Sequence, residues 1–230
     1  MITSISSDYF SVNQSRRSVR AFLATPVRRD LIEKILSEAS RAPSGTNTQP
    51  WKVTVLTGEP LQTLIAKLLA ASNDPERAKK YGEDYRYYPR EWKSPYLERR
   101  RKVGYDLYNL LGISRREVDR MRAQWNRNFE FFGAPVGLMF TIDRVMEQGS
   151  WLDYGMFLQN VMLAARAFGL ETCPQAAFNE FHAIILPHIG AEATDTLVCG
   201  MSLGHADPAA VENSLHTERA PLAEFVRFLD

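Results

Sequence analysis

A short basic segment near the N-terminus carries the residues best suited to binding an anion. It reads Arg16, Arg17, Ser18, Val19 and Arg20. In an extended chain the first, third and fifth of these side chains share one face, which then presents two guanidiniums and a hydroxyl. Guanidiniums bind phosphates through paired hydrogen bonds and stack on electron-rich rings. Taken alone, the segment is compatible either with a phosphate site or with a basic surface patch.

Three later segments could complete a site for a flat ligand that carries a phosphate. In a loop, Gly45 permits close backbone approach, and Ser44 and Asn47 can hydrogen-bond to a polar edge. Small residues and backbone N–H groups at 172–177 could face a ring system. Arg219, in the C-terminal tail, could return to the phosphate. Each segment also has an ordinary interpretation: a plain turn, a strand end and a solvated arginine.

The histidines and cysteines follow no pattern typical of metal binding or disulfides. Cys173 and Cys199 cannot form a disulfide framework or a four-ligand zinc site, so we expect two buried thiols in a reducing compartment. No metal centre is predicted, because the histidines lack ligand spacing. The four histidines are His182, His188, His205 and His216.

The bulk composition excludes several classes of protein. With 45% hydrophobic and 24% charged residues, the 230-residue chain is typical of a soluble globular protein. A formal net charge of +1 gives no global field that would recruit nucleic acid or a membrane. We see neither a secretory signal nor a stretch apolar enough to cross a bilayer. We therefore expect a cytoplasmic protein.

Hydrophobic periodicity predicts the elements that must position these residues. Helices are predicted at 7–15 with Ser7 as cap, at 29–40, from 58 onward, from a capping box at Ser150 and Asp153 to 168, at 179–188 and at 222–229. Strands are predicted at 51–57, 136–142, 171–178 and 196–202. This alternation, by itself, favours a parallel sheet. The stretch at about 73–132 differs, because it is rich in basic and aromatic residues, and we interpret it as an insertion without its own hydrophobic core.

As a set, these motifs resemble the FMN-dependent nitroreductase family over nearly the whole chain. The last two motifs and the long insertion are most similar to its nitrobenzoate-reductase branch. The motifs are RRSVRAF (16–22), APSGTNTQPWKV (42–53), FGAPVGLMFTID (132–143), DYGMFLQNVMLAARAFGLETCPQ (153–175) and GMSLGHADP (200–208).

The resemblance implies an α+β fold, a nitroreductase-like α-β-α sandwich with a mostly antiparallel central sheet. It further implies an intertwined homodimer with FMN at the subunit interface. The chain would be one domain, 1–230, with a lid-like insertion at about 73–132. Many relatives place an Asn and a Lys against the flavin after the second helix; Asn73, Lys79 and Lys80 all remain candidates here. Thr217 stands where a phosphate-binding Lys often precedes the C-terminal Arg.

The resemblance also implies roles for individual residues. One subunit would hold the phosphate, ribityl chain and pyrimidine edge through Arg16, Arg17, Ser18 and Arg20. The other subunit would contribute Pro43, Ser44, Gly45 and Asn47. The backbone beside flavin N5 would come from Pro174, Gln175 and Ala176, and a further phosphate ligand from Arg219.

The implied activity is reduction of small nitroaromatic compounds by NADH or NADPH, through FMN and in two-electron steps that take the nitro group to a hydroxylamine. Donor and substrate would bind in turn on the same flavin face. Arg20 would support the reduced flavin electrostatically, and no side chain is assigned as a catalytic acid or base.

Tyr88, Trp92 and Tyr96 are candidates to cover the substrate ring, unless they only pack the insertion against the body. Arginines nearby could pair with a substrate carboxylate or with a nicotinamide-nucleotide phosphate.

Two alternatives stay open. The same flavin could serve quinones, activated alkenes or reductive dehalogenation, although we find no Glu, Tyr and Lys trio of the dehalogenating kind. In a different class, the basic and aromatic segment 79–127 could bind nucleic acid. Its interleaved acids and the near-neutral chain disfavour that reading.

Overall fold

A four-stranded antiparallel sheet forms the centre of the computed structural model, which describes residues 9–229. Every neighbouring pair of its strands is antiparallel. The expected antiparallel α+β fold is therefore confirmed, and the parallel sheet favoured by the strand–helix alternation is wrong. The strands are β1 (Lys52–Thr57), β2 (Val136–Asp143), β3 (Glu171–Gln175) and β4 (Asp195–Gly204), and their order in the sheet is β1-β2-β4-β3. Strands β2 and β3, which flank the long helix at 148–167, do run in the same direction, but β4 lies between them and is antiparallel to both. The prediction failed because the last strand of the chain inserts between two strands that a helix connects.

Helices cover both faces of the sheet and bury two separate apolar clusters. Alternate side chains of β2 enter opposite clusters, as the pleat requires. Leu138 and Phe140 pack with the helices at 29–39 and 148–167, and Met139 packs with the helices at 58–72 and 182–188. Each such fully buried side chain contributes roughly 1.5–3 kcal/mol. The helices are α1 (Tyr9–Ser15), α2 (Arg29–Ala39), α3 (Gly58–Ser72), α4 (Arg77–Lys80), α5 (Tyr96–Leu110), α6 (Val118–Asn126), α7 (Gln148–Ala167) and α8 (His182–His188).

Several predicted boundaries are wrong for local reasons. Helix α7 begins at Gln148 and has no side-chain cap; Ser150 instead donates to the Met146 sulfur (3.5 Å), and Asp153 accepts from a distant loop.

Strand β3 ends at Gln175 because a 3₁₀ segment follows it. The predicted helix at 222–229 is only a short 3₁₀ turn, Leu222–Glu224. The predicted cap Ser7 lies outside the described residues.

The residues that follow α6, rather than the side chains of α5 and α6, anchor the insertion in the core. Helix α5 buries no side chain, and α6 buries only Asn126. Phe129, Phe131 and Phe132, which follow α6, are buried in the cluster beneath α3. The two helices therefore lie on the surface of the body. Within residues 9–229, no helix has both the length and the hydropathy needed to cross a membrane.

Candidate active site

The basic segment 16–20 forms one wall of a cleft of about 720 Å³, which we call the arginine cleft. Arg219 and Arg166 reach the same cleft from the C-terminal tail and from α7. The structure thus brings together arginines that are about 200 positions apart in the sequence. The lining residues are Asn13, Gln14, Ser15, Arg16, Arg17, Ser18, Arg20, Gln159, Arg166, Leu215, His216, Thr217 and Arg219.

Backbone hydrogen bonds fix this segment in an extended form at the edge of the sheet. The N–H of Val19 donates to the carbonyl of Thr172 in β3 (3.1 Å), and the Val19 side chain is fully buried. On the other side, the N–H of Arg20 donates to Oδ1 of buried Asn213 (2.8 Å). Nδ2 of Asn213 donates in turn to the Ala21 carbonyl (2.8 Å). The arginines therefore project from a backbone that is bonded on both sides.

The charges of the arginine cleft are only partly compensated. Arg166 pairs with buried Glu171 (3.2 Å), and its Nε donates to Ser15 (2.9 Å). Burial raises the pKa of Glu171, and the arginines 166, 17 and 16 partly oppose that rise. Nε of Arg17 is buried without a hydrogen-bond partner within residues 9–229. A buried donor without a partner costs about 1–3 kcal/mol, so an anion that accepts from it fits this cleft.

The loop that carries Pro43, Ser44, Gly45 and Asn47 lies elsewhere, beside the start of α7, and lines no part of the arginine cleft. The N–H of Gly45 donates to Asp153 of α7 (3.0 Å), and Ser44 Oγ accepts from the N–H of Gln49 (3.0 Å). Asn47 has a φ of +61°, and Thr46 and Gln49 are also left-handed. Non-glycine residues rarely adopt this conformation, which occurs more often at functional sites.

The segment Pro174, Gln175 and Ala176 faces a smaller cavity of about 240 Å³. The Gln175 amide is buried and already engaged: it donates to the Asn128 carbonyl (2.6 Å) and accepts from Ser202 Oγ (2.7 Å). Any ligand here would therefore meet the backbone of the segment and not the Gln175 side chain.

A second large cleft, of about 730 Å³, lies against α5 and α6, and we call it the aromatic cleft. Arg20 lines both this cleft and the arginine cleft. Tyr88, Trp125 and Asn128 line both the aromatic cleft and the cavity beside Pro174. The aromatic cleft therefore adjoins each of the other two spaces. The lining residues are Arg20, Tyr88, Arg100, Arg101, Val103, Gly104, Tyr105, Leu107, Tyr108, Asn109, Ile113, Ser114, Arg115, Met121, Gln124, Trp125, Asn128 and Phe132.

The three aromatic candidates of the insertion differ in position. Tyr88 faces the aromatic cleft. Trp92 packs against Tyr88, with ring centroids 5.4 Å apart, and does not itself line the cleft. Tyr96 is the first residue of α5, is 63% exposed and lines none of the three spaces. Of the three, only Tyr88 is placed to contact a ligand in the cleft.

The residues considered as replacements for the family Asn and Lys have other partners. Asn73 accepts from Asn126 (3.0 Å), Lys79 pairs with Glu76 (2.6 Å) and Lys80 pairs with Asp74 (2.6 Å). They line neither the arginine nor the aromatic cleft.

Near the phosphate candidate Arg219, the Thr217 hydroxyl accepts from that guanidinium (2.8 Å) and so holds it beside the cleft. Sequence reasoning missed Arg166, whose signal was a cation near the end of a largely apolar helix. It also missed Asn213, because nothing in the residues around Asn213 indicates that its side chain bonds to the segment 16–20.

The other chemistry-bearing groups are buried or already neutralised. Both thiols are buried as predicted, and burial raises the pKa of Cys173 to about 11 and that of Cys199 to about 12. They are therefore protonated near neutral pH and poor nucleophiles.

Three carboxylates, those of Asp143, Glu192 and Asp195, lie close together. Lys52 already pairs with the last two, at 3.1 and 2.8 Å.

Comparisons with known proteins match the chain to one family of enzymes over most of its length. The model of the Nitroreductase family matches residues 14–205. The 4-nitrobenzoate reductase of Pseudomonas putida is 46% identical, over 98% of this chain and 97% of its own length. The nitrobenzene nitroreductase of Ectopseudomonas oleovorans is 38% identical, over 94% of each chain.

Solved structures agree with these sequence matches. The FMN and NADPH-dependent nitroreductase NfnB from Sphigopyxis sp. strain HMH superposes with a TM-score of 0.93 and 38% identity, over 97% of this chain and 99% of its own. The FMN-dependent nitroreductase NfnB from Mycobacterium smegmatis, solved in complex with NADPH, gives a TM-score of 0.91 and 30% identity, over 99% and 100%. The similarity includes the insertion, since it extends over nearly the full chain.

Proposed function

This chain belongs to the nitroreductase family, and from that premise we propose that it is an FMN-dependent oxidoreductase that uses NADH or NADPH to reduce nitroaromatic compounds. The observation that carries the proposal is that Arg20 lines both large clefts. A ligand whose phosphate lies in the arginine cleft can then present a ring to the aromatic cleft. FMN has this shape, and when bound it supplies the redox chemistry.

The arginine cleft suits the phosphate end of FMN. Arg16, Arg17 and Arg219 would bind the phosphate, and the buried Nε of Arg17 would gain the acceptor that it lacks among residues 9–229. Hydrogen bonds between guanidinium and phosphate are charge-assisted and roughly twice as strong as neutral ones. Ser18, on the same face as Arg16 and Arg20, would contact the ribityl chain.

The residues between the two clefts would hold the ring. Arg20 is fixed through its backbone to Asn213 (2.8 Å) and would place positive charge beside the pyrimidine edge. Such a preorganised charge favours the ring when it carries extra electrons. Pro174, Gln175 and Ala176 would approach the opposite edge with their backbone, because the Gln175 amide is engaged elsewhere.

The aromatic cleft would receive first the nicotinamide and then the nitroaromatic substrate. The insertion at about 73–132 would act as its lid, with Tyr88 against the substrate ring and Trp92 supporting Tyr88. Within the described part of the chain, the cleft is lined by no Asp, Glu or His. Protons for the reduction would come from water and from the N5–H group of the reduced flavin, and the side chains would orient the substrate and limit access of solvent.

We also propose that the active form is a homodimer in the cytoplasm. In the loop 43–47, Thr46 and Asn47 adopt left-handed backbone conformations, and the loop lies away from the arginine cleft of its own chain. A partner chain could bring Pro43, Ser44, Gly45 and Asn47 to a flavin in that cleft. Exposed Phe225, Phe228 and Leu229 provide apolar surface for a second chain to cover. The two free thiols suit a reducing compartment.

Flavin spectroscopy tests the proposal. The purified protein should be yellow, or become yellow with added FMN. Its flavin absorbance should bleach anaerobically on adding NADH or NADPH and return on adding a nitroarene. A colourless protein that takes up no FMN would refute the proposed function. Light scattering with sizing chromatography should give twice the chain mass of 26.2 kDa, and a monomer that retains FMN would refute the shared site.

A further inference from the structure

The aromatic cleft carries an excess of positive charge. Its lining includes four arginines, and no acidic residue among 9–229 accompanies them. The rest of the lining is largely apolar and aromatic. A ring with a negative substituent matches both properties, because the ring can pack on the aromatic side chains while the substituent meets a guanidinium. The four arginines are Arg20, Arg100, Arg101 and Arg115.

Among the arginines that line the aromatic cleft, Arg100 packs on two rings of the insertion. Its guanidinium carbon lies 4.9 Å from the ring centroid of Trp92 and 5.4 Å from that of Tyr88. Stacking on rings engages the face of a guanidinium and leaves the N–H groups at its edge available for a carboxylate. Within residues 9–229, Arg100 forms no ion pair. Its neighbours Arg99 and Lys102 are paired, with Glu224 at 2.5 Å and Asp106 at 2.8 Å.

The position of Tyr88 distinguishes Arg100 from the other candidates. Tyr88 also lines the cavity beside Pro174, where the reactive edge of the flavin would lie under the proposed function. Arg115 instead stacks on Tyr105 at 4.3 Å, and Arg101 has no ring partner among the described residues. Arg100 is therefore the insertion arginine linked by a ring contact to the side of the cleft where chemistry would occur.

We infer that Arg100 is a specificity-determining residue, which binds the carboxylate of an aromatic carboxylate substrate in the aromatic cleft. The inference rests on the proposed function and names the residue that discriminates charged from neutral substrates. Arg100 acts on binding and not on electron transfer, so its effect falls on KM. Because the guanidinium is exposed to solvent, the preference weakens as ionic strength rises.

The kinetic test compares a charged and a neutral substrate in Arg100→Gln and in a matched control, Arg122→Gln. Arg122 is an exposed arginine of α6 that does not line the cleft. In Arg100→Gln we expect kcat/KM for 4-nitrobenzoate to fall about tenfold through KM, as for the loss of one charge-assisted hydrogen bond. For nitrobenzene the change should stay within about twofold, as for ordinary surface substitutions. The control should change neither value beyond that range.

Equal losses for both substrates would overturn the inference and leave the proposed function intact. So would a rise in the KM for NADPH with the KM values for NADH and 4-nitrobenzoate unchanged. That pattern would assign Arg100 to the nucleotide phosphate.

Binding of benzoate, which cannot be reduced, separates the inference from the proposed function. Calorimetry on the protein with its flavin should show benzoate binding that Arg100→Gln weakens about tenfold, that salt weakens and that Arg122→Gln leaves unchanged. If no nitroarene is reduced with either donor, the proposed function fails, and benzoate binding still decides the role of Arg100. Benzoate binding that is absent, or that is insensitive to Arg100→Gln, would refute that role.

Discussion

The arginine cleft and the aromatic cleft are both lined by several arginines, but the two sets are held in different ways. In the arginine cleft, the segment 16–20 is hydrogen-bonded to β3 and to buried Asn213, and Arg166 belongs to a helix of the core and pairs with Glu171. In the aromatic cleft, three of the four arginines belong to α5 and the turn after it, and α5 buries no side chain.

Because of this difference, the two clefts are suited to different kinds of ligand. A preformed anion site needs donors on a rigid backbone, because reorganisation would reduce the affinity. A substrate site that accepts rings of different shape is better built on an element with few buried contacts, which opens at low cost in free energy. The core-bound arginines thus fit a resident cofactor, and the surface arginines fit a transient substrate.

Among the substitutions, the largest expected effect is loss of FMN from Arg16→Ala. Removing one charge-assisted contact to phosphate should weaken FMN binding roughly 10- to 100-fold. Fluorescence titration of the apoprotein with FMN measures it. Arg28→Ala is the control, because Arg28 pairs with Asp30 and lies outside the cleft. Equal affinity in the Arg16 variant would remove this arginine from the phosphate site.

A pair of glycine substitutions tests the rigidity of the two regions. A Cβ at Gly200 of β4 would overlap the ring of fully buried Phe178, so Gly200→Ala should destabilise by about 1–3 kcal/mol. A Cβ at Gly104 of α5 would meet nothing within 4 Å, so Gly104→Ala should be neutral or stabilising by up to about 1 kcal/mol. Urea unfolding gives both values. Similar losses in both variants would contradict the proposed difference in packing.

Titration of Glu171 tests the electrostatics of the arginine cleft. Burial raises its pKa above the ordinary 4.5, so the folded state binds the proton more tightly than the unfolded chain. The stability contributed by this group is fully present below the ordinary pKa and is lost as pH rises through the folded pKa. Relative to Glu171→Gln, the wild type should therefore lose unfolding free energy as pH increases across that window, in urea titrations at several pH values. A difference that is independent of pH, or that grows with pH, would contradict the raised pKa.

The smallest effect is expected for an ion pair that links α5 to the C-terminal tail. Arg99 and Glu224 are both about half exposed, so Glu224→Gln should cost less than about 1 kcal/mol. The same urea titration measures it. A loss several times larger would mean that the insertion is fixed as firmly as the sheet.

Local hydrophobic periodicity predicted most of the helices and strands, but not the directions in which the strands run. The apolar stripe of α2 and the continuous apolar run of β2 were readable because burial follows a short repeat in each. The antiparallel order came from the family resemblance, since strand direction depends on distant connections. Asp153 shows a related failure: its spacing from Ser150 predicted a capping box, whereas its carboxylate bonds to Gly45, 108 positions away.

In the candidate site too, the residues within one short segment were predictable, and the contacts between distant segments were not. The residue types of the segment 16–20 were enough to make it a candidate phosphate site. For Arg219, a role at the same site was only one of two interpretations, the other being a solvated arginine of the tail. The contribution of Asn213 comes from a buried side chain that bonds to the backbone of a segment 193 positions away. Tyr88 and Tyr96 are indistinguishable in the sequence, and only the course of the insertion places Tyr88 at the cleft and Tyr96 outside it.

The most direct test of the arginine cleft as a cofactor phosphate site compares FMN with riboflavin, which has the same ring and ribityl chain but no phosphate. Fluorescence titration of the apoprotein should show FMN binding at least about 100-fold more tightly, as expected for several charge-assisted hydrogen bonds. The difference should shrink in Arg16→Ala. Equal affinity for the two flavins would contradict the assignment of the arginine cleft to the phosphate.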